Sequence, residues 1–192
     1  MVSIGKIEVY TDGSSLRNPG PSGLSYIIRY YEDVENGIPE AKEITGKQGF
    51  RLSTNNRMEI MAGIYALKEV LKKVDDGLFI DVRQVSLSSD SEYFCKAYNQ
   101  NWLAKWQANG WMTSGYQSKK PHAVSNKDLW EKFLDILAEM KAKSITLIMT
   151  HVEGHAGDEL NERCDQMAKE AADSTELLKD EEYEKLSKEY NH

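Results

Sequence analysis

Ser53-Thr54-Asn55-Asn56-Arg57-Met58-Glu59-Ile60 is the stretch around which the chain is best read. It is polar and cap-like, then abruptly helical. Asn55 or Asn56 is suited to cap the helix that follows, and Glu59 falls within its first turn or so, where the helix dipole favours negative charge. Glu59, Ala62, Gly63 and Ala66 share one helical face at i, i+3, i+4 and i+7, with only small residues besides the acid. Small residues let backbones approach closely, so Glu59 is expected to point into a packed seam. A carboxylate there wants a cation, a metal or a proton.

Three strands are expected before this helix. Residues 4–12 alternate, with Ile7, Val9 and Thr11 on one parity and Lys6, Glu8, Tyr10 and Asp12 on the other. The strand is expected to end at Asp12-Gly13-Ser14-Ser15, followed by the turn cluster Asn18-Pro19-Gly20-Pro21. Runs over 24–31 and 41–52, separated by a polar segment with Asn36-Gly37, complete an antiparallel meander. The helix itself is expected over 55–73. A fourth strand at 82–89, now reached through a helix, suits parallel pairing with the first. Asp90-Ser91-Glu92 opens a further helix, and the apolar patterns of 126–141, 144–150 and 158–172 read as helix, strand and helix. Such an order points to an α/β or α+β mixed sheet.

The chain has 192 residues, 40% of them hydrophobic, enough for one domain with a real core. Cys95 and Cys164 stand 69 residues apart, a pattern suited to a reducing compartment rather than a disulfide framework. No apolar run approaches the ~18 residues of a membrane span, and the first residues resemble no signal or transit sequence. A cytoplasmic monomer is therefore expected. The net charge of −7 argues against nucleic-acid binding by the chain as a whole. One region departs from that average: residues 96–127 hold five lysines, His122 and Trp102, Trp106 and Trp111, and no acid. Trp102, Leu103, Trp106 and Ala108 have helical spacing, and Gly110 with Gly115 would break that helix into a projecting loop. By contrast, from Asp173 onward seven acidic residues face three basic ones, which reads as an acidic amphipathic helix (174–192) appended to a domain of residues 1–173.

Asp12 and Asp90 lie on the polar parity at the ends of strands one and four. If those strands are parallel neighbours, ~4.8 Å apart, the two carboxylates meet at one sheet edge and repel unless something positive lies between them. Taken singly, Asp12 also reads as a turn aspartate and Asp90 as a helix cap. Asp165 borders the buried stripe of the last core helix, where it also reads as a solvated acid. Three or four hard carboxylate oxygens select magnesium or manganese over zinc, and a pair of such ions suits phosphoryl transfer. His155, between glycines, could shuttle a proton or be a plain surface histidine. Zinc bound by His151, His155 and a cysteine is disfavoured, because a strand-to-loop path does not align the histidines.

Thr11-Asp12-Gly13-Ser14, Asn18-Pro19-Gly20-Pro21, Thr54-Asn55-Asn56-Arg57-Met58-Glu59, Ser89-Asp90-Ser91, Gly154-His155-Ala156-Gly157 and Asn161-Glu162-Arg163-Cys164-Asp165 occur in this order and spacing. Together they resemble the bacterial-type, type 1 ribonuclease H family with a basic protrusion. The resemblance implies a ribonuclease H-like fold: a five-stranded mixed sheet, three strands antiparallel and two parallel, flanked by helices. It implies hydrolysis of the RNA strand of RNA/DNA hybrids with two magnesium ions, manganese being a substitute, leaving 5′-phosphate and 3′-hydroxyl ends. By position, Asp12, Glu59, Asp90 and Asp165 match the metal-binding acids and His155 the loop histidine. Asn18, Asn55 and Asn56 match contacts near the scissile strand, and Thr54 a DNA-phosphate contact. Tyr93, Trp102 and Asn126 match the DNA channel, and the protrusion contributes Lys105, Lys119 and Lys120.

The chain departs from the family where Leu52 replaces a frequent arginine. Arg51, one residue earlier, would face the other side of a strand. The protrusion is also less basic than usual at Gln107-Ala108-Asn109-Gly110, and the acidic tail has no counterpart in the shortest members. A noncatalytic nucleic-acid-binding domain and a DNA-acting nuclease or strand transferase of the same fold are the alternatives.

Overall fold

Alternating apolar residues place the first strand, β1 (Lys6–Ser15), with Ile7 and Val9 fully buried in the main core. The computed structural model describes residues 2–3, 6–32, 40–113, 120–154 and 157–189. The expected Asn36-Gly37 turn, Gly115, Lys119 and His155 lie outside them. Strand β1 does not stop at Asp12: Gly13, Ser14 and Ser15 continue to pair with Leu24, Gly23 and Ser22 of antiparallel β2 (Gly20–Glu32). The turn residues begin only after this extension, which is why the expected end was early. Strand β3 (Glu40–Ser53) runs antiparallel to β2 and forms the sheet edge.

Helix α1 (Asn55–Asp75) then returns the chain so that β4 (Gln84–Ser89) pairs parallel with β1. After α2 (Glu92–Asn99), α3 (Trp102–Ala108) and α4 (Lys127–Ala142), β5 (Thr146–His151) pairs parallel with β4. The sheet order is β3-β2-β1-β4-β5, and Val2–Ser3 forms a separate short parallel pair with Phe79–Ile80. Three antiparallel strands are thus followed by two parallel ones, as expected.

Helix α1 and helix α5 (Glu159–Ala172) cover opposite faces of the sheet. The small-residue face of α1 is buried, and a Cβ on Gly63 would come within 2.5 Å of the Phe94 ring, so α2 packs where only glycine fits. On the α5 side, Ile27, Leu160 and Cys164 form a smaller cluster with Tyr10 and Met167 against it. The acidic tail is tied to the β3 edge: Leu178 N–H donates to Gly49 O and Arg51 N–H to Leu178 O, both at 2.9 Å. Helix α6 (Glu181–Glu189) follows. No helix among the described residues is long and apolar enough to cross a membrane.

Candidate active site

The last parallel pair of β1 and β4 is Thr11 with Ser89, so Asp12 and Asp90 follow side by side. Glu59 reaches them from α1. Gly13 permits this approach, because a Cβ there would lie 2.3 Å from Glu59 N and 2.5 Å from Met58 C. The carboxylate oxygens of Asp12, Glu59 and Asp90 fall within 4.8 Å of one another. Asp12 and Glu59 are each only 4% exposed, and Asp90 is half-buried.

The local capping explains why Glu59 and Asp90 are not spent on helix ends. Thr54, rather than Asn55 or Asn56, caps α1 by accepting from Arg57 N–H at 3.4 Å, while Asn18 Oδ1 accepts from Asn55 N–H at 3.2 Å. Glu59 consequently lies beyond the first turn, outside the dipole's range, because the helix begins one residue earlier than a cap at Asn55 allows. Ser91, not Asp90, caps α2 by accepting from Phe94 N–H at 3.3 Å. Asp90 is therefore left to face the other two acids.

Burial, then the Asp90 and Asp165 charges, push the Asp12 carboxyl up to about 8. Burial, then Asp12 and Asp90, hold Glu59 well above the usual carboxylate range. Glu59 Oε1 accepts from Asn55 Nδ2 at 3.4 Å, but its buried Oε2 has no hydrogen-bond partner among the described residues. An acceptor-only group buried beside two other acceptors fits a proton or a cation. The donor set is all oxygen, which suits a hard divalent ion.

Asp165 is not part of this triad. Its carboxylate accepts from Lys169 at 2.6 Å, one turn along α5, yet it is close enough to raise Asp12 electrostatically. The loop after β5 also approaches the triad, since a Cβ on Gly154 would lie 3.1 Å from Asp90 Oδ2. His151 Nε2 lies 3.1 Å from the Asp90 carbonyl. Among the described residues, Asp12, Glu59 and Asp90 are the one group of three or more histidines, cysteines and acids placed to share an ion. Cys95 and Cys164 are buried and free, and burial pushes both thiols up to about 12.

Thr54 and Asn55 are half-buried beside the triad, and Asn56 is exposed. Tyr93 packs at a tilt against Trp102 and Trp106, with centroids 6.4 Å away in each case, and edge-on against the fully buried Trp130. Beside them, a cleft of about 620 Å³ is lined by Trp102, Lys105, Trp106, Asn109, Met112 and Thr113. Lys105 and Lys120 are exposed. Asn126 precedes α4 in a left-handed conformation at φ 61°.

A second cluster escaped the sequence reading. Arg57, 1% exposed, donates to Asp128 at 2.9 and 2.8 Å and to Asp180 at 2.8 and 2.9 Å. Burial acts to lower its pKa, but the hydrogen bonds it donates to Asp128 and Asp180 outweigh it and hold the guanidinium above its ordinary value. A signal existed: Arg57 shares a helical face with Met61 and Ile64, which makes it a buried cation in search of acids. Arg51 pairs with the tail residue Glu184, with both contacts at 2.7 Å, so its side chain does not stand in for an arginine at position 52.

The RNase H family model matches residues 5–173. The chain belongs to the RNase H family. Among its relatives, the ribonuclease H of Syntrophus aciditrophicus is 39% identical over 178 residues, covering 93% of this chain and 87% of that one. In structure the RNase H resembles LC9-RNase H1, a type 1 RNase H with the type 2 active-site motif: TM-score 0.69, 25% identity, 88% of this chain and 72% of that one. It also resembles LC11-RNase H1 in complex with an RNA/DNA hybrid: TM-score 0.51, 27% identity, 87% of this chain and 96% of that one.

Proposed function

We propose that this RNase H hydrolyses the RNA strand of RNA/DNA hybrids, leaving 5′-phosphate and 3′-hydroxyl ends, with residues 1–173 as the catalytic unit of a cytoplasmic monomer. The observation that carries the reading is the convergence of Asp12, Glu59 and Asp90 within 4.8 Å, with a buried, unpartnered Glu59 oxygen among them. Family membership and the hybrid-bound relative support it.

Asp12, Glu59 and Asp90 would hold divalent cations, with Asp165 at the margin where Lys169 competes for it. Bound there, a pair of magnesium or manganese ions would supply water activation and charge stabilisation for phosphoryl transfer. The three carboxylates would fix where that positive charge sits. His155 moves a proton to or from the reacting groups. Asn18, Asn55 and Asn56 read the strand being cut, and the cap at Thr54 ties their helix end to the same frame. Thr54 meets a DNA phosphate; Asn126, joined to it through Arg57, holds the DNA strand beside it, with Tyr93, Trp102, Lys105, Lys119 and Lys120 adding apolar contact and charge.

The test is incubation with magnesium and labelled RNA/DNA hybrid, duplex DNA and duplex RNA. Cleavage confined to the hybrid's RNA strand is expected. No hybrid cleavage, or equal cleavage of duplex DNA, would sink the reading.

A further inference from the structure

The buried Arg57 is gripped from the C-terminal tail as well as from the domain. Asp180, 5% exposed, accepts from Arg57 Nε and Nη2, and its Oδ2 also accepts from Ser53 Oγ at 2.7 Å. Ser53 and Arg57 flank Thr54, whose Oγ1 in turn accepts from Arg57 N–H. Arg57 Nη1 lies 3.5 Å from Asn126 Oδ1. One tail carboxylate therefore holds both flanks of Thr54 and, through the guanidinium, the amide of Asn126.

We propose that residues 174–189 form a positioning strap for the DNA-phosphate subsite at Thr54 and Asn126, with Asp180 as its positioning residue and the Arg51–Glu184 pair as its lock. This rests on the role given to Thr54 and Asn126 above. The network sets the polarity of the subsite. With Asn126 Oδ1 facing the guanidinium, Nδ2 is the end of the amide left to meet an anion. With a Thr54 lone pair occupied by the Arg57 N–H, the hydroxyl proton is free to donate outward. Both groups then present donors, as a phosphate requires. The guanidinium stays behind them because Asp128 and Asp180 occupy its fork on two sides. Leu178 pins the strap to the β3 edge, and the two 2.7 Å contacts from Arg51 to Glu184 fix the helix that follows.

The test is a cycle on full-length protein, reading the Kd of intact hybrid in EDTA so that nothing is cut. Each DNA-strand phosphate is replaced in turn by a neutral methylphosphonate. In the wild type, one position is expected to cost roughly fivefold in affinity, the scale of one or two lost hydrogen bonds. Asp180→Asn is expected to bind native hybrid roughly fivefold more weakly and to lose less than about twofold at that position, because the contact is already gone. Glu184→Gln, which leaves Arg57 fully paired, is expected to show the same pattern at roughly twofold and decides the matter if Asp180→Asn does not fold.

Unchanged affinity in the folded variants would overturn the strap. So would an equal loss on native and methylphosphonate hybrids, which is the mark of a merely structural role. Tighter binding by Glu184→Gln, from an Arg51 released to meet phosphate, would overturn it too. Failure of the wild type to cleave hybrid in magnesium would count against the proposed function alone, since the cycle is read without metal.

Discussion

Helix α1 carries a glutamate and an arginine two residues apart, and the two sit in opposite electrostatic settings. Around Arg57, two carboxylates converge on a cation that belongs to the fold, and burial is matched by four short hydrogen bonds. Around Glu59, two further carboxylates converge and the described residues supply no cation between them. Both clusters are largely dry, so the difference lies in whether the fold supplies a cation. A buried acid set that carries its own counter-ion holds structure together, whereas one that lacks it stores repulsion that an incoming cation can relieve.

The largest expected effect tests the unneutralised set. Asp12→Asn or Asp90→Asn is expected to drop hybrid turnover in magnesium by on the order of 10⁴-fold, while Kd for the hybrid changes little. Retained turnover would show that the acids are misassigned. Asp165→Asn should fall short of that loss in the same assay, since its carboxylate lies outside the triad and is shared with Lys169.

The set with its own cation breaks in the other way. Arg57→Leu is expected to cost about 3–5 kcal/mol by leaving the buried Asp180 and the half-buried Asp128 without their cation, read as a denaturation midpoint shift. A change below about 1 kcal/mol would mean the cluster relaxes into water.

The two clusters should also respond to pH with opposite sign. Asp12 is raised in the folded state from 3.8 to about 8, so between those values the unfolded chain releases its proton first. The metal-free protein's stability is therefore full at low pH and falls as pH rises through that window. Asp128 is shifted the other way: burial opposes its charge, but hydrogen bonding and attraction from Arg57 hold it below its ordinary value. Its contribution is present above the unfolded pKa and is lost as pH falls through the folded one. At pH 7 without metal, Asp12→Asn should stabilise the fold by about 1–3 kcal/mol, and millimolar magnesium should remove most of that advantage by stabilising the wild type. Thermal melts over pH 3–9, with and without EDTA, check both signs.

The smallest effect concerns charge outside either cluster. Replacing Lys105, Lys119 and Lys120 together by alanine is expected to raise KM several-fold and reduce the salt slope by about 2–3, with kcat held. A fall confined to kcat would contradict a binding role.

Much of this was legible from local pattern. The alternation of β1, the helical stripe of α1 and the spacing of the motifs placed the five strands, and the parallel pairing of β1 with β4 followed from the intervening helix. The meeting of Asp12 and Asp90 was legible because parallel register carries strand ends to a common edge. The caps were less so: Thr54, Asn55 and Asn56 are all suitable residues, and only the entry path of β3 selects Thr54. Position Asp12 looked like a strand end because Gly13-Ser14-Ser15 reads as a turn, yet the hairpin partners keep it extended.

By itself, then, the sequence determined the order of elements and the set of acids available, because strand and helix periodicities are local properties of neighbouring residues. Which acid receives a built-in counter-ion was decided only by the tertiary structure. Arg57, Asp128 and Asp180 are separated by 71 and 52 residues along the chain, and Glu59 meets Asp12 and Asp90 across 47 and 31. Neutralisation depends on distances of a few ångströms between such segments, and no local pattern encodes those distances.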